Sequence, residues 1–203
     1  MRDDALSVIV CGSSAASGVH SYLAWLRQEI DLSLRVLLTH NAERFVTRHA
    51  LSWYADECYA SDDPALNPTE FAKRSLGIVV LPATANTLAC AALGLAGTPA
   101  QTVLLSADRP ALFFPSMNNS MWAKPTMRRH IETLRGDGHT VVEPPLAPTF
   151  TLWNRETTVG PVMPPPDQAT ETIATWLEAQ LPTDDTAEAA DPSRTLDELR
   201  ATR

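Results

Sequence analysis

Several common features are missing from this chain of 203 residues, and each absence removes a class of function. No apolar run approaches the roughly 20 residues that span a bilayer, and Met1-Arg2-Asp3-Asp4 lacks the charge pattern of a signal peptide. Lysine and arginine number 16 against 24 acidic residues, a formal net charge of −8. No basic surface for nucleic acid or an anionic membrane is therefore expected. Cysteine is scarce: Cys11, Cys58 and Cys90 are odd in number and have no metal-ligand spacing. They read as reduced, buried thiols of a cytoplasmic protein, and no metal site is expected. Neither a GxGxxG nor a Walker spacing is present, which weakens the dinucleotide and nucleoside-triphosphate readings. Internal repeats are absent as well.

What is present suffices for one core. Hydrophobic residues make up 44% of the chain, an ordinary share for a globular domain. Short apolar runs at residues 7–11, 35–38, 78–81, 102–105, 111–114 and 140–142 predict six strands. Helical patterns separate them: Tyr22, Leu23, Trp25, Leu26 and Ile30, then residues 88–95 (ended by Gly97 and Pro99), then 127–134. Strands alternating with helices imply an α/β sandwich with a mostly parallel sheet. Residues 144–166 are rich in proline, and residues 169–181 form a last amphipathic pattern. The expected organisation is one domain over residues 1–181, followed by a disordered acidic tail over 182–203.

Ligands of open α/β sheets bind just beyond the carboxyl ends of strands. Residues 12–18 follow the first strand and offer small side chains, hydroxyls and backbone N–H groups. Such a turn can hold a phosphate without lysine or arginine, or it can be a tight strand-to-helix turn with nothing bound. Pro82, Ala83, Thr84, Ala85, Asn86 and Thr87 follow the third expected strand. Small Ala83 and Ala85 permit close approach of a flat ring, and Thr84, Asn86 and Thr87 supply polar groups. Asn86 or Thr87 can also cap the helix that follows. A further loop, residues 115–122, carries Asn118 among Met117, Met121 and Trp122, with Trp122 expected in the core.

In sequence these two loops read PATANT and PSMNNSMW. Together they resemble the PASANT and PxMNxxMW motifs of the homo-oligomeric flavin-containing cysteine decarboxylases, closest in type to the peptidyl-cysteine decarboxylases of lanthipeptide and linaridin-like biosynthesis. The resemblance covers about residues 6–166, with specific motifs at 12–15, 82–87 and 115–122. It implies a Rossmann-like (flavodoxin-like) three-layer sandwich, an FMN cofactor, and a trimer or dodecamer of identical subunits. Gly12, Ser13, Ser14 and Thr39, with Ser106 as an addition, would then hold the FMN phosphate. Residues 82–87 would line the ring. Asn86 would lie near the reacting cysteine, and Asn118 would bind its carboxylate. The implied chemistry is oxidative decarboxylation of a precursor peptide's C-terminal cysteine. A hydride leaves the cysteine side chain, the resulting thioaldehyde accepts the electrons of CO2 loss, and an enethiol remains for aminovinyl-cysteine formation.

Two departures from the family pattern shape the expectation. Family members carry a histidine where this chain has Pro68, after Asn67, so His49, Asp63, Glu70 or a neighbouring subunit's histidine is expected to take the proton. His20, His40, His130 and His139 read as surface or packing residues. The pantothenate-pathway members carry a cysteine in their substrate flap, whereas the candidate flap here, residues 143–166, has none. That favours a peptide substrate over phosphopantothenoylcysteine. Phe150, Leu152 and Trp153 would fold over the peptide or pack between subunits, with Arg155 near the peptide backbone and Met121 in the apolar frame around Asn118 on the substrate side. A non-catalytic FMN-binding regulatory protein and a flavin prenyltransferase are alternatives on the same fold.

Overall fold

The computed structural model describes residues 5–151 and 155–180. Leu152, Trp153 and the expected acidic tail lie outside the described residues. Six strands form one sheet: β1 (Ala5–Val10), β2 (Ser33–Leu38), β3 (Glu57–Tyr59), β4 (Ser75–Ala83), β5 (Leu112–Pro115) and β6 (Thr140–Val141). Their order is β3-β2-β1-β4-β5-β6 and every pair is parallel. Beyond a strand's end, a parallel pair needs a crossover, so helices cover both faces and the central strands read as largely apolar runs. All six residues of β1 are buried.

Strand alternation sends side chains to two cores. Leu6, Val8 and Val10 of β1 meet α1 (Val19–Glu29) and α8 (Pro166–Glu178) on one face. Ile9 of β1 and Phe113 of β5 point to the other face. That face is covered by α3 (Pro68–Lys73), α4 (Ala85–Ala92), α5 (Pro99–Ser106) and α7 (Pro125–Gly136). Two short helices complete the set, α2 (Arg48–Leu51) and α6 (Asn119–Trp122). Gly77 lets α8 reach the sheet: a Cβ there would lie 2.7 Å from Leu177 Cδ2 and 2.8 Å from Trp176 Cζ3.

The expected number of strands is right, but one member is wrong. Residues 102–105 belong to helix α5, which Thr98 caps through its hydroxyl and Pro99 opens. Pro99 thus starts a helix rather than ending one, and Gly94, at φ +64°, follows the end of α4. Ala100, Val103 and Leu104 are the buried face of α5, a spacing a four-residue apolar run cannot reveal. The sheet's sixth strand is instead the edge strand β3, only three residues long. The proline-rich stretch also holds a hairpin, β7 (Leu146–Thr151) with β8 (Glu156–Pro161), outside the main sheet.

An ionic cluster ties β2, β3 and α3 together. Arg35 is 2% exposed. Its Nε donates to Glu57 at 3.1 Å, its Nη1 donates to the Phe71 carbonyl at 3.1 Å, and its guanidinium lies over the Phe71 ring. Arg74 and Tyr59 also donate to Glu57. Burial alone would raise the Glu57 carboxyl; the Tyr59 hydroxyl and the two guanidiniums outweigh it and hold it below its usual range. Its stabilising contribution is therefore present above the unfolded pKa and lost as pH falls through the depressed folded value. Glu57→Gln leaves the Arg35 charge poorly compensated, and a loss of about 2–4 kcal/mol at neutral pH is expected. The deficit should shrink in acid, as the wild-type carboxyl gains its own proton. Urea unfolding at neutral and acidic pH checks this, and equal midpoints at neutral pH would refute it.

Candidate functional site

The strand order reverses between β1 and β4, and a crevice is expected outside the carboxyl ends at such a switch point. A cleft of about 370 Å³ lies there. The β1 loop forms one wall. The Cys11 amide donates to the Pro82 carbonyl at 3.2 Å, and the Thr87 hydroxyl donates to Cys11 Sγ at 3.1 Å. Burial pushes the Cys11 thiol up to about 11, with the Thr87 bond only partly opposing it. Cys11 thus remains a neutral thiol that fixes the loop. Gly12 is required by packing, since a Cβ would sit 2.4 Å from Asn41 Cβ and 2.6 Å from its carbonyl carbon. Ser13 caps the 3-10 turn Ser14–Gly18 and shares a 2.7 Å hydrogen bond with Ser116.

The β2 loop forms the second wall. Thr39 lines the cleft, and both its amide and its hydroxyl donate to the Val10 carbonyl, at 3.0 and 3.1 Å. The loop after β4 is the third. Thr84, rather than Asn86 or Thr87, caps α4, its hydroxyl accepting from the Thr87 amide at 3.3 Å. Asn86 is therefore released from capping, exposed, and placed in the cleft lining with Thr84, Ala85 and Thr87. Pro82 and Ala83 lie behind that lining, buried at the end of β4, where Ala83's carbonyl accepts from the Ser116 amide at 2.8 Å.

A groove of about 660 Å³ adjoins the cleft, between α6 and the β7–β8 hairpin. Ser13, Ser116 and Met117 line both hollows. Asn118 lines the groove and caps α6, its Oδ1 accepting from the Met121 amide at 2.8 Å. That bond leaves the side-chain NH2 as the half available to a ligand. Phe150 faces it from the hairpin, and Ser14 lines the same groove. Met121 lines the cleft, while Trp122 is buried in the core as expected, with the Arg128 guanidinium 4.5 Å above its ring.

The flavoprotein family pattern matches residues 1–178. This chain belongs to the flavoprotein family. Mersacidin decarboxylase of Bacillus sp. (strain HIL-Y85/54728) is 33% identical over 147 residues, which is 71% of this chain and 75% of that protein. The structure of epidermin biosynthesis protein EpiD from Staphylococcus aureus superposes with a TM-score of 0.77 at 25% identity, covering 83% of this chain and 99% of that one. That of the FMN-dependent cysteine decarboxylase SpaF gives 0.71 at 26% identity, covering 88% and 98%. The expected fold class is thereby established for this flavoprotein.

Not every expected site residue reaches the two hollows of the flavoprotein. Ser106, expected at a strand end, is the last residue of helix α5 and lies outside the cleft lining. Arg155 sits in the hairpin turn at φ 56°, exposed and outside the groove lining. Trp153 lies outside the described residues. Pro68 opens α3 with Asn67 as its cap. The expected substitutes for a histidine there are engaged elsewhere: Asp63 with Arg48 at 2.6 Å, Glu70 with Arg74 at 3.4 Å, His49 edge-on to Trp53. Conversely, His40, Asn41, Ser61, Thr98, Gln101 and Ser116 line the cleft without having been expected there. His40 and Asn41 follow β2 as Thr39 does, so the strand-end rule applied to Thr39 would have found them. Ser61 follows β3, a strand too short to carry an apolar run.

Proposed function

We propose that this flavoprotein binds FMN in the cleft and oxidatively decarboxylates the C-terminal cysteine of a ribosomally made precursor peptide to an enethiol. The observation that carries the reading is the shared wall of Ser13, Ser116 and Met117, with Asn86 on the cleft side and Asn118 on the groove side. An extended peptide in the groove then ends beside a ring in the cleft. The lining suits the cofactor. Hydroxyls of Ser13, Thr39, Thr84 and Thr87 and amides of Asn41, Asn86 and Gln101 alternate with Ala85, Ala100, Met117 and Met121. A flat, polar-edged ring on a phosphorylated chain needs that mixture, in a volume ordinary for such ligands.

Bound FMN supplies the two-electron acceptor for a hydride from the cysteine Cβ, with oxygen as its eventual oxidant. The protein's residues do the remaining work. Gly12, Ser13 and Thr39 place the phosphate end, while Thr84, Ala85, Asn86 and Thr87 line the ring with Pro82 and Ala83 behind them. Asn118 presents its NH2 to the peptide carboxylate. A neutral amide orients that group with less ground-state stabilisation than an arginine, which would hold it as an anion and resist its loss. The Cα–carboxylate electron pair moves into the Cα–Cβ bond, and the thioaldehyde sulfur takes a proton to give the enethiol. No Asp, Glu or Lys lines either hollow among the described residues. A free thiol is already a few per cent thiolate at neutral pH, which lowers the need for a strong base where Pro68 stands. The hollows are open, and we read the working form as a cytoplasmic trimer or dodecamer in which a neighbouring subunit completes the site. Among the described residues no helix is long and apolar enough to cross a membrane.

Oxygenated, FMN-loaded protein incubated with short cysteine-terminated peptides should shift their mass by the loss of CO2 plus two hydrogens. An unchanged mass across varied peptides would overturn the assignment and favour a binding or regulatory flavoprotein.

A further inference from the structure

We propose that His40 is the counter-charge to the FMN phosphate, making cofactor retention depend on pH. The inference rests on the flavin site just described and deepens it. The loop after β2 is clamped onto the loop after β1 from two sides. Thr39 is bound twice to the Val10 carbonyl, and Asn41 occupies the space where a Gly12 side chain would begin. His40 lies between these two anchors, exposed, in the lining of the same cleft. A phosphate on Gly12 and Ser13 would therefore share the cleft with this imidazole.

Charge makes the position matter. A phosphate monoester brings a charge of about −1.5 to −2. The cleft lining contains no lysine, arginine, aspartate or glutamate, and its other ionisable side chain, Cys11, is neutral. His40 alone among the lining residues can become cationic. The loops after β1 and β4 bring no formal charge towards it. Its own loop continues into Glu43 and Arg44, of opposite sign. The loop after β3, which contributes Ser61, continues into Asp62 and into Asp63, the latter paired with Arg48. Neither Arg44 nor Arg48 lines the cleft. Imidazoles exchange their proton between about pH 5 and 8, the range in which a phosphate's second ionisation also falls. Because the phosphate itself changes charge in this range, the informative quantity is the ratio of wild type to variant at each pH.

Release of flavin from diluted holoprotein, followed by fluorescence, gives the dissociation constant for FMN and, after exchange, for riboflavin. His40→Gln should weaken FMN about tenfold near pH 6 and leave it within about twofold of wild type near pH 8.5, with riboflavin unaffected at either pH. His40→Arg, charged throughout, should bind FMN more tightly than wild type near pH 8.5. A wild type that prefers FMN over riboflavin, with His40→Gln equal to it at every pH, would overturn the role of His40 alone. A wild type with no preference for FMN over riboflavin would overturn the phosphate site itself.

Discussion

Asn118→Asp should keep its fold and its FMN and lose about 10³-fold in kcat/KM on cysteine-terminated peptides, about 4 kcal/mol of transition-state stabilisation. The substitution separates two jobs of one side chain. Asn118 Oδ1 accepts from the Met121 amide and caps α6. Aspartate caps a helix about as well as asparagine, so α6 and the loop should persist. The NH2 left free by that cap is replaced by an anionic oxygen, which would repel the peptide carboxylate instead of donating to it. FMN should be retained because Asn118 lies outside the cleft lining. The check is turnover by mass spectrometry beside flavin absorbance and thermal unfolding. Asn118→Ala is the informative companion, since it removes both jobs and should add about 0.5–2 kcal/mol of lost stability. Undiminished turnover by Asn118→Asp would end the carboxylate assignment.

Local signals in the sequence explain which parts of this architecture could be read in advance. Strands β1, β2, β4 and β5 are central in the sheet, and they read as largely apolar runs, interrupted by buried Ser7 and Arg35, because helices cover both faces. Edge strand β3 has three residues, of which Cys58 alone is buried, and it carries no such signal. Residues 102–105 mislead for the opposite reason: the run is apolar, yet Thr98 and Pro99 upstream specify a helix start. The hairpin was hidden by Pro144, Pro145 and Pro148, which argue against a central strand but permit an isolated one. In the site, the motif loops could be read because their polar side chains interrupt apolar runs at strand ends. The partners of those loops could not. The Ser13–Ser116 bond joins residues 103 positions apart, and the Gly12–Asn41 contact depends on how β1 and β2 are set in register. Capping followed the same pattern. Thr84, Asn86 and Thr87 are all plausible caps by residue type, and only the backbone geometry selects Thr84 and frees Asn86 for the cleft.

Gly12→Ala should abolish flavin binding and lower stability by about 1–3 kcal/mol. A single methyl group is decisive here because its nearest neighbours are the Cβ and the backbone carbonyl of Asn41, which no side-chain rotation can move. The new Cβ would lie 2.4 Å from Asn41 Cβ, 2.6 Å from its carbonyl carbon and 2.7 Å from its carbonyl oxygen. Asn41 cannot turn a side chain aside to relieve that contact, so one of the two loops must move. The Asn41 loop is held by Thr39 to the Val10 carbonyl, and the Gly12 loop by the Cys11 amide to Pro82 and by Ser13 to Ser116. Either shift separates the two walls proposed to hold the phosphate end of the cofactor, and a shift of the Gly12 loop also strains the Ser13–Ser116 contact between cleft and groove. The purified variant should be colourless, should stay so in excess FMN, and should unfold at a lower temperature than wild type. Gly136→Ala provides the contrast: at the end of α7 an added Cβ meets nothing within 4 Å, and a gain of about 0.4–1 kcal/mol with full colour is expected. A yellow Gly12→Ala protein with unchanged unfolding would show that these loops yield to a methyl group, and that their close contact is not what shapes the phosphate end of the cleft.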